Sequence, residues 1–461
     1  MYGLTSLAAP AAHNIRMRAR RLLPLGLAAL ALALTGCDQG RKSLPKTQVR
    51  VVNVVPSYFS LDYRREESSA STLDFDTGTV VTYDEDTYDF NVDSPDVFTG
   101  VPQRLLSFPQ KVLAGTTYTF VLYDTGTSVD RVVLETPNIP ATATDTEIDV
   151  LNAATGQPPM DFYLTPTNTG IIGATPLGTL AFLQQVPARR VAAGGYEITI
   201  TAAGDPSNIL LKSQPFDLPA AKYSSFVIAP DAGSSNNPIS LVVFGDSSTV
   251  FVNVSAPASL RVVMAPADQG PRDVAVNGEF SPPLFPGVPF ATETAYANVP
   301  SSGNLKVNAT PPGNPGVLEL DTASLITAPT SLNTILISGT PGALTQLNLV
   351  EDNRRIPTVG RIRFYNAAPQ FTGGLDFYIV NTGITDLTTV LPYDTLFAPG
   401  AGEQRPVLPG TYDLLIAQSG TTTIAAGPTP ITIEGGGLYG VLATNNANGV
   451  SADVTLLDDF Q

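Results

Sequence analysis

Four aspartates recur at matching positions along the chain. Carboxylates are the side chains of this sequence most able to act in catalysis or to bind a metal ion. They are Asp62, Asp161, Asp273 and Asp376. Each lies nine or ten residues after the asparagine that closes a short alternating segment, or after Met264 in the third case. A carboxylate held behind a turn either ligates an ion or accepts backbone N–H groups. Recurrence in all four places favours the second role, so we interpret these aspartates as structural.

A second acidic group lies within residues 84–96. Its members are Asp84, Glu85, Asp86, Asp89, Asp93 and Asp96. Oxygen-rich clusters suit calcium, and the candidate ligands are Asp84, Glu85, Asp86 and Asp89. The group lacks the spacing of a known calcium loop, and charge runs usually face solvent. We therefore predict a solvated acidic loop, with a calcium site as the alternative.

The single cysteine, Cys37, closes an apolar run that follows several arginines. The run from Leu22 to Leu34 covers 13 residues, fewer than the roughly 20 that a membrane-spanning helix needs. The small residues before the cysteine fit the cleavage site of a bacterial lipoprotein signal, formed by Leu34, Thr35, Gly36 and Cys37. We predict a signal peptide over residues 1–36, or from Met17, then a lipidated Cys37 and a tether over residues 37–47. This leader predicts a membrane-anchored envelope lipoprotein that faces the periplasm; inner and outer membrane both stay open.

The composition excludes several classes of chemistry. The one histidine, His13, falls in the predicted leader, and the chain has one cysteine and no tryptophan. A mature chain beginning at a lipidated Cys37 excludes Ser-His-Asp and Cys-His catalysis, histidine and cysteine metal sites, and disulfides. We predict no cofactor. The formal net charge is −16, and the leader contains arginines but no acid, so nucleic acid is not an expected partner.

The recurring aspartates belong to a repeat whose successive copies begin 99, 112 and 102 residues apart. The opening segments are Val49–Asn53, Ile148–Asn152, Leu260–Met264 and Ile362–Asn366. They alternate with period two, which predicts half-buried antiparallel strands whose polar face carries Arg50, Asp149, Arg361 and Arg363. Glycine turns followed by aromatic strands recur after Gly115, Gly195, Gly410 and Gly437, and we compare their tyrosines with a tyrosine corner.

We predict an all-β chain of about four immunoglobulin-like antiparallel β-sandwiches, each with its own core and able to fold alone. Repeat 1 covers residues 48–145, repeat 2 residues 146–256, a degenerate repeat 3 residues 257–356, and repeat 4 residues 357–461. The asparagines that close three of the opening segments, Asn53, Asn152 and Asn366, are expected to face inward and to cap the backbone.

The motifs Val-Arg-Val-Val-Asn, Leu-Asp-x-Tyr and Pro-Gly-Thr-Tyr occur in this order along the repeats. This pattern resembles the DUF4397 domain, a domain of unknown function found in tandem in bacterial envelope and secreted proteins. Repeat 4 carries the fullest version, in Arg361–Asn366, Leu375–Tyr378 and Leu408–Leu414, whereas repeat 3 has lost the asparagine and both tyrosines. The resemblance implies a sandwich fold and an envelope role, and it brings no catalytic residues.

Taken together, these features predict a non-enzymatic envelope lipoprotein that acts as a structural, binding or adhesion module. Its expected partners are the membrane, through the lipid, and an unidentified envelope protein or glycan. Two alternatives stay open at this point: a carboxylate-dependent glycan hydrolase, since paired carboxylates work without histidine, and a calcium-stiffened adhesin.

Overall fold

The structure is a computed structural model. It describes residues 46–66, 68–96, 98–99, 101–126, 128–137, 142–231, 233, 237–301, 303–321, 325–446 and 450–459. The lipobox residues Leu34, Thr35, Gly36 and Cys37 lie outside these ranges. Within them the chain forms strands and no helix, so no described helix is long and apolar enough to cross a membrane. The prediction of an all-β fold is confirmed.

The strands of repeat 1 are β1 (Lys46–Val54), β2 (Ser60–Arg65), β3 (Ser71–Asp74), β4 (Thr77–Asp84), β5 (Asp86–Pro95), β6 (Pro102–Val112), β7 (Thr116–Asp124) and β8 (Val129–Pro137). Those of repeat 2 are β9 (Asp145–Asn152), β10 (Met160–Pro166), β11 (Gly178–Leu180), β12 (Gln185–Ala192), β13 (Gly194–Ala202), β14 (Asp205–Lys212), β15 (Phe216–Leu218), β16 (Tyr223–Pro230), β17 (Ile239–Phe244) and β18 (Ser248–Phe251).

The strands of repeat 3 are β19 (Ala258–Pro266), β20 (Arg272–Val276), β21 (Phe285–Val288), β22 (Thr292–Glu293), β23 (Ala297–Val299), β24 (Asn304–Leu305), β25 (Val307–Thr310), β26 (Leu320–Asp321), β27 (Leu325–Ile326), β28 (Leu332–Thr340) and β29 (Ala343–Glu351). Those of repeat 4 are β30 (Gly360–Ala367), β31 (Leu375–Asn381), β32 (Asp394–Leu396), β33 (Gly400–Ala401), β34 (Arg405–Val407), β35 (Gly410–Gln418), β36 (Ile424–Ile433), β37 (Leu438–Asn445) and β38 (Ala452–Asp458).

Each repeat contains two main sheets with one apolar core between them. In repeat 1 the sheet that holds the opening strand has the order β4-β1-β7-β8, and the second sheet has the order β3-β2-β5-β6. Repeat 4 follows the same plan, with β33-β30-β37-β38 and β32-β31-β35-β36. Separate clusters of buried side chains fill the four repeats, around Phe120, Phe162, Val262 and Phe364 respectively. The four tandem sandwiches therefore each have a core of their own.

The opening strands differ from the sequence prediction in two ways. Each of β1, β9, β19 and β30 pairs parallel, not antiparallel, with the strand we call the return strand, which is β7, β16, β28 or β37. Their polar faces are also buried: Arg50, Asp149 and Arg361 are each 3% exposed. The predicted half-burial was wrong because a neighbouring repeat covers the second face. The predicted antiparallel pairing holds along one edge of each opening strand, where β1 pairs with β4, β9 with β12, β19 with β22 and β23, and β30 with β33 and β34.

Two further apolar clusters form these contacts between repeats. One joins repeats 1 and 2 and includes Val52, Val121, Leu151 and Phe244. The other joins repeats 3 and 4 and includes Val263, Leu336, Tyr365 and Leu442. In both, the sheets that carry the opening strands pack face to face, so the four sandwiches are arranged as two pairs.

Chain entry and exit explain this pairing. In repeat 1, Gln48 of the opening strand, Thr117 of the return strand and Thr136 of β8 lie in one row of the sheet. Repeat 3 shows the same row in Ser259, Leu332 and Glu351. The chain therefore enters and leaves a repeat at one end of its sheet, and a short connection is enough to place the next repeat beside it. Repeat 2 adds β18, which folds back on β17.

Candidate functional site

The repeated aspartates close the edges of the second sheet in each repeat. The Asp376 carboxylate accepts the Thr395 hydroxyl at 2.7 Å and the Gly420 N–H at 3.0 Å. Asp161 holds the equivalent pair, the Thr179 hydroxyl and the Gly204 N–H at 2.8 Å. Each of these carboxylates joins a short neighbouring strand to a hairpin turn, which is the structural role predicted for it.

Repeats 1 and 3 vary this arrangement. Asp273 accepts two glycine N–H groups, from Gly287 at 2.7 Å and Gly313 at 2.8 Å. Asp62 accepts the Thr72 hydroxyl at 2.7 Å. In three repeats the turn residue that donates its N–H is a glycine with positive φ: 76° at Gly204, 70° at Gly313 and 73° at Gly420. Glycine is the residue that adopts this backbone region at little cost, so the aspartate and the glycine form one turn-closing unit.

The inward asparagines make the same two hydrogen bonds in three repeats. The Asn366 amide donates to the Leu396 carbonyl at 2.8 Å, and its oxygen accepts the Ala368 N–H at 2.9 Å. Asn53 and Asn152 form the matching bonds at 3.0–3.1 Å. All three side chains are fully buried, so their predicted role in capping the backbone is confirmed. In repeat 3 Met264 is equally buried at this position and joins the apolar core.

The tyrosines that follow glycine turns bond back to the main chain, as predicted. Tyr439 accepts the Glu434 N–H at 2.8 Å and is 3% exposed. Tyr118 accepts the Leu113 N–H at 3.2 Å and is equally buried. Tyr412 instead donates to the Leu408 carbonyl at 3.0 Å and is only partly buried against the core. The tyrosines therefore act as anchors of the fold, and Tyr439 is buried more deeply than Tyr412.

The acidic group of residues 84–96 is largely a strand, because Asp86–Pro95 forms β5. Its alternate side chains Tyr88, Phe90 and Val92 face the core, which makes the prediction of a loop wrong. Asp93, 2% exposed, pairs with Arg64 at 2.8 Å and with Arg104.

The calcium candidates are engaged separately or exposed. Glu85 accepts the N–H of Ala114, and Asp86 accepts the N–H of Thr87. Asp89 is exposed, and Asp84 is partly buried. No group of three or more His, Cys, Asp or Glu that suits a metal ion occurs among the residues that the structure describes.

Charged side chains join repeats 3 and 4. Arg261 of β19 pairs with Glu293 at 3.0 Å and with Asp458 of repeat 4. Arg363 of repeat 4 pairs with Glu351 of repeat 3 at 2.9 Å. These are the polar faces of the opening strands, and they are satisfied across the contact between repeats. Desolvation of the charges offsets much of the attraction in such buried pairs, so they are weak evidence for added stability.

Repeats 1 and 2 meet through a different set of contacts. The Arg50 guanidinium lies 4.5 Å from the ring centroid of Tyr223. The Tyr223 hydroxyl donates to Asp149 and lies 2.9 Å from the Thr136 hydroxyl of repeat 1. A sequence pattern does indicate both interfaces. Each charged residue is followed on the same face of its strand by apolar residues, such as Val52 and Val54 after Arg50.

A cleft of about 100 Å³ lies where repeat 1 meets the start of repeat 4. It is lined by Tyr58, Phe59, Ser60, Ser94, Pro95, Asp96, Phe98, Gln103, Ile356, Thr358, Val359 and Leu408. Ile356 and Val359 are buried, whereas Phe98 and Leu408 are 44% and 49% exposed. The Asp96 carboxylate is already hydrogen-bonded within its own turn, because it accepts the N–H groups of Phe98 and Thr99. These bonds lower the pKa of its carboxyl. The cleft therefore offers mainly apolar and neutral polar side chains.

Arg354 holds the segment beside this cleft. Its guanidinium bonds Asp352 at 2.9–3.1 Å, lies 3.5 Å from the Tyr58 carbonyl, and is 5.1 Å from the ring centroid of Phe75. The connection between repeats 3 and 4 is thereby attached to repeat 1. Sequence reasoning missed this cleft, because its two walls are about 300 residues apart in the chain.

The comparison with protein families gave one match. The family model for DUF4397, a domain of unknown function, matches residues 258–378. The matched segment runs from β19 through repeat 3 and ends within β31 of repeat 4. The predicted resemblance to this family is confirmed. A comparison with curated proteins found no match.

Solved structures show only faint similarity to this chain. CBMbc of family CBM26 from Eubacterium rectale, in complex with maltoheptaose, has 11% identity and a TM-score of 0.14, covering 45% of this chain and 97% of its own. A putative adhesin from Bacteroides ovatus has 11% identity and a TM-score of 0.13, covering 45% and 95%. BcpA, the major pilin subunit of Bacillus cereus, has 12% identity and a TM-score of 0.14, covering 87% and 99%. Scores this low carry no argument about function.

Proposed function

We propose that this protein is a non-enzymatic, membrane-anchored envelope lipoprotein whose four sandwiches form a binding or adhesion module for an envelope protein or glycan. One observation carries the proposal: the aspartates and asparagines that recur in the repeats are hydrogen-bonded within their own repeat. Asn366 bonds the Leu396 carbonyl and the Ala368 N–H, and Asp376 accepts the Thr395 hydroxyl and the Gly420 N–H. The recurring residues thus maintain a scaffold, and recognition falls to exposed loops.

The cleft between repeats 1 and 4 is our candidate for the contact with the partner. Its exposed rim residues, Phe98 and Leu408, are apolar, and Ser60, Gln103 and Thr358 supply neutral hydrogen-bonding groups beside them. Concave sites with an apolar lining and a few polar groups are the usual form of a ligand site. A cleft of this kind suits a sugar ring or a short peptide side chain.

The contact is tested by crosslinking in cells, followed by identification of the captured envelope proteins, together with binding assays on a glycan panel. We expect Phe98→Ala to reduce binding of the identified partner about tenfold, the loss of one buried aromatic contact worth about 1.4 kcal/mol. Ile172→Ala is the matched control, because Ile172 is fully exposed and lies outside the cleft. Equal effects of both variants would remove the cleft from the proposal.

Membrane anchoring is tested by Cys37→Ser. A lipid chain contributes about 0.8 kcal/mol per buried CH₂, so its loss should release the protein from membranes. Fractionation after labelling with palmitate reads out both attachment and location. Membrane association that persists in the variant, together with an unlabelled wild type, would contradict a lipid anchor. Hydrolysis of a glycan by the purified protein, abolished by mutating a carboxylate pair, would contradict the non-enzymatic role.

A further inference from the structure

The contact between repeats 1 and 2 contains a carboxyl group with no cation of its own. Asp76, in the turn between β3 and β4, is 8% exposed. One of its oxygens accepts the Ser240 hydroxyl of β17 in repeat 2 at 2.7 Å. The other oxygen makes no hydrogen bond among the described residues. An ionised carboxylate in this position would be both desolvated and incompletely bonded.

The charged groups that face Asp76 do not offset this cost. Asp231 of repeat 2 brings a second negative charge, and burial and that charge both act to raise the pKa of Asp76. Arg354 is the facing cation, but its guanidinium is already bonded to Asp352. The Ser240 hydroxyl and Arg354 both act to lower the pKa, yet burial dominates and the pKa of Asp76 is raised to about 7.

A second carboxyl in the same interface has similar surroundings. Asp149 accepts the Tyr223 hydroxyl, while its other oxygen has no hydrogen-bond partner among the described residues. Burial raises the pKa of Asp149 to about 6, and the negative charge of Glu147 on the same strand adds to this effect. The Tyr223 and Ser225 hydroxyls and the charge of Arg50 act to lower the pKa, but burial outweighs them. Arg50 cannot fully neutralise it, because its guanidinium lies over the Tyr223 ring and lies 3.3 Å from the Tyr223 carbonyl.

We propose that the interface between repeats 1 and 2 is a pH-responsive joint, closed when Asp76 and Asp149 are protonated and loosened when they ionise. A carboxyl whose pKa is raised by folding stabilises the closed form at low pH, and this stabilisation is fully present below the unfolded value near 4. It is lost as the pH rises towards 7, the value for Asp76. The joint is therefore tightest in mild acid, whereas carboxylates in ion pairs have the opposite dependence.

The test is hydrogen exchange of the full chain between pH 4.5 and 8, expressed as protection factors so that the intrinsic pH dependence of exchange cancels. Protection of β17 amides, such as that of Val242, should fall relative to β5 amides such as that of Phe90, which lie in the core of repeat 1. A carboxyl whose pKa is higher by about one in the closed joint than in the open joint changes the opening equilibrium about tenfold, so we expect a relative loss of at least about tenfold.

Asp76→Asn isolates the group, since asparagine keeps the shape and tolerates the φ of 59° at this residue. Its Val242 protection should match wild type at pH 4.5 and exceed it about tenfold at pH 8. Asp74→Asn is the matched control in the same turn, and its exposed side chain should leave the pH profile unchanged. Asp149→Asn is the second variant if Asp76→Asn does not fold. Protection of β17 that is flat with pH in the wild type, or a profile that neither asparagine variant changes, would overturn the proposal.

Discussion

Asp376 accepts hydrogen bonds from two directions, the Thr395 hydroxyl of β32 and the Gly420 N–H of the turn between β35 and β36. An asparagine at this position keeps one oxygen and presents an NH₂ group to the second donor. Asp376→Asn should therefore cost about 1 kcal/mol of stability, the net contribution of one hydrogen bond, because Gly420 is exposed and water can reach its unpaired N–H. Urea denaturation of the protein measures the cost, and faster exchange of the Gly420 amide locates it. Asp386→Asn, in an exposed turn, is the control.

Two tyrosines of repeat 4 both follow a glycine turn but differ in how deeply they are buried. Tyr439→Ala should cost about 3–5 kcal/mol, because its ring is nearly fully buried and its hydroxyl serves the Glu434 N–H. Tyr412→Ala should cost clearly less, since that side chain is partly exposed and water can replace its bond to Leu408. Thermal unfolding of both variants gives the comparison. A larger loss at Tyr412 would contradict this ordering.

The contact between repeats 1 and 2 leaves no space for a side chain at Gly78. A Cβ added at Gly78 in β4 would lie 2.7 Å from the Phe244 ring of repeat 2 and 2.8 Å from the Val51 carbonyl oxygen. Gly78→Val should therefore open the interface between repeats 1 and 2 and weaken the pairing of β4 with β1. Exchange of β17 amides should rise while that of β5 amides stays slow. Gly373→Ala, which meets no atom within 4 Å, is the control.

At the scale of strands, the sequence predicted the elements well and their neighbours poorly. Alternation identified the opening strands and the glycine turns identified the aromatic strands, because both patterns are local. The inward Asn366 and the turn-closing Asp376 could be assigned for the same reason. The parallel pairing of β1 with β7 could not, because it joins segments about 70 residues apart and no local pattern specifies a parallel partner.

The charged faces of the opening strands are buried against partners on distant strands, which local sequence patterns do not reveal. Arg363 and Arg261 look like solvent-facing residues, because arginine is rarely buried unless it is paired. Their partners, Glu351 and Asp458, come from other strands and from the other repeat of the pair. The same holds for the cleft beside Arg354, whose walls meet only once both pairs of sandwiches have formed. Predicting such sites requires the arrangement of the repeats, which local sequence patterns do not specify.

At the scale of the whole molecule, we expect the unit of stability to be a pair of sandwiches, because an apolar cluster joins the two repeats of each pair. The sequence suggested that residues 357–461 fold alone, but that fragment would expose Tyr365, Leu442 and Leu457 and leave Arg363 without Glu351. We expect a fragment of residues 257–461 to unfold cooperatively, and the single repeat to be less stable and to bind an apolar dye such as ANS. Equal stability of the two fragments would contradict the pairing.

The row of entry and exit also has a mechanical consequence for the membrane-anchored arrangement proposed above. In repeat 4, Ile362, Tyr439 and Asp458 lie side by side in one row, so the chain enters and leaves the repeat at the same end of the sheet. Tension between those ends loads the hydrogen bonds of β38 successively, starting from Asp458. A ladder pulled in this way opens like a zipper, at lower force than one sheared along its strands. We therefore expect each repeat to yield strand by strand, so that a tethered module of this kind would lengthen gradually under load.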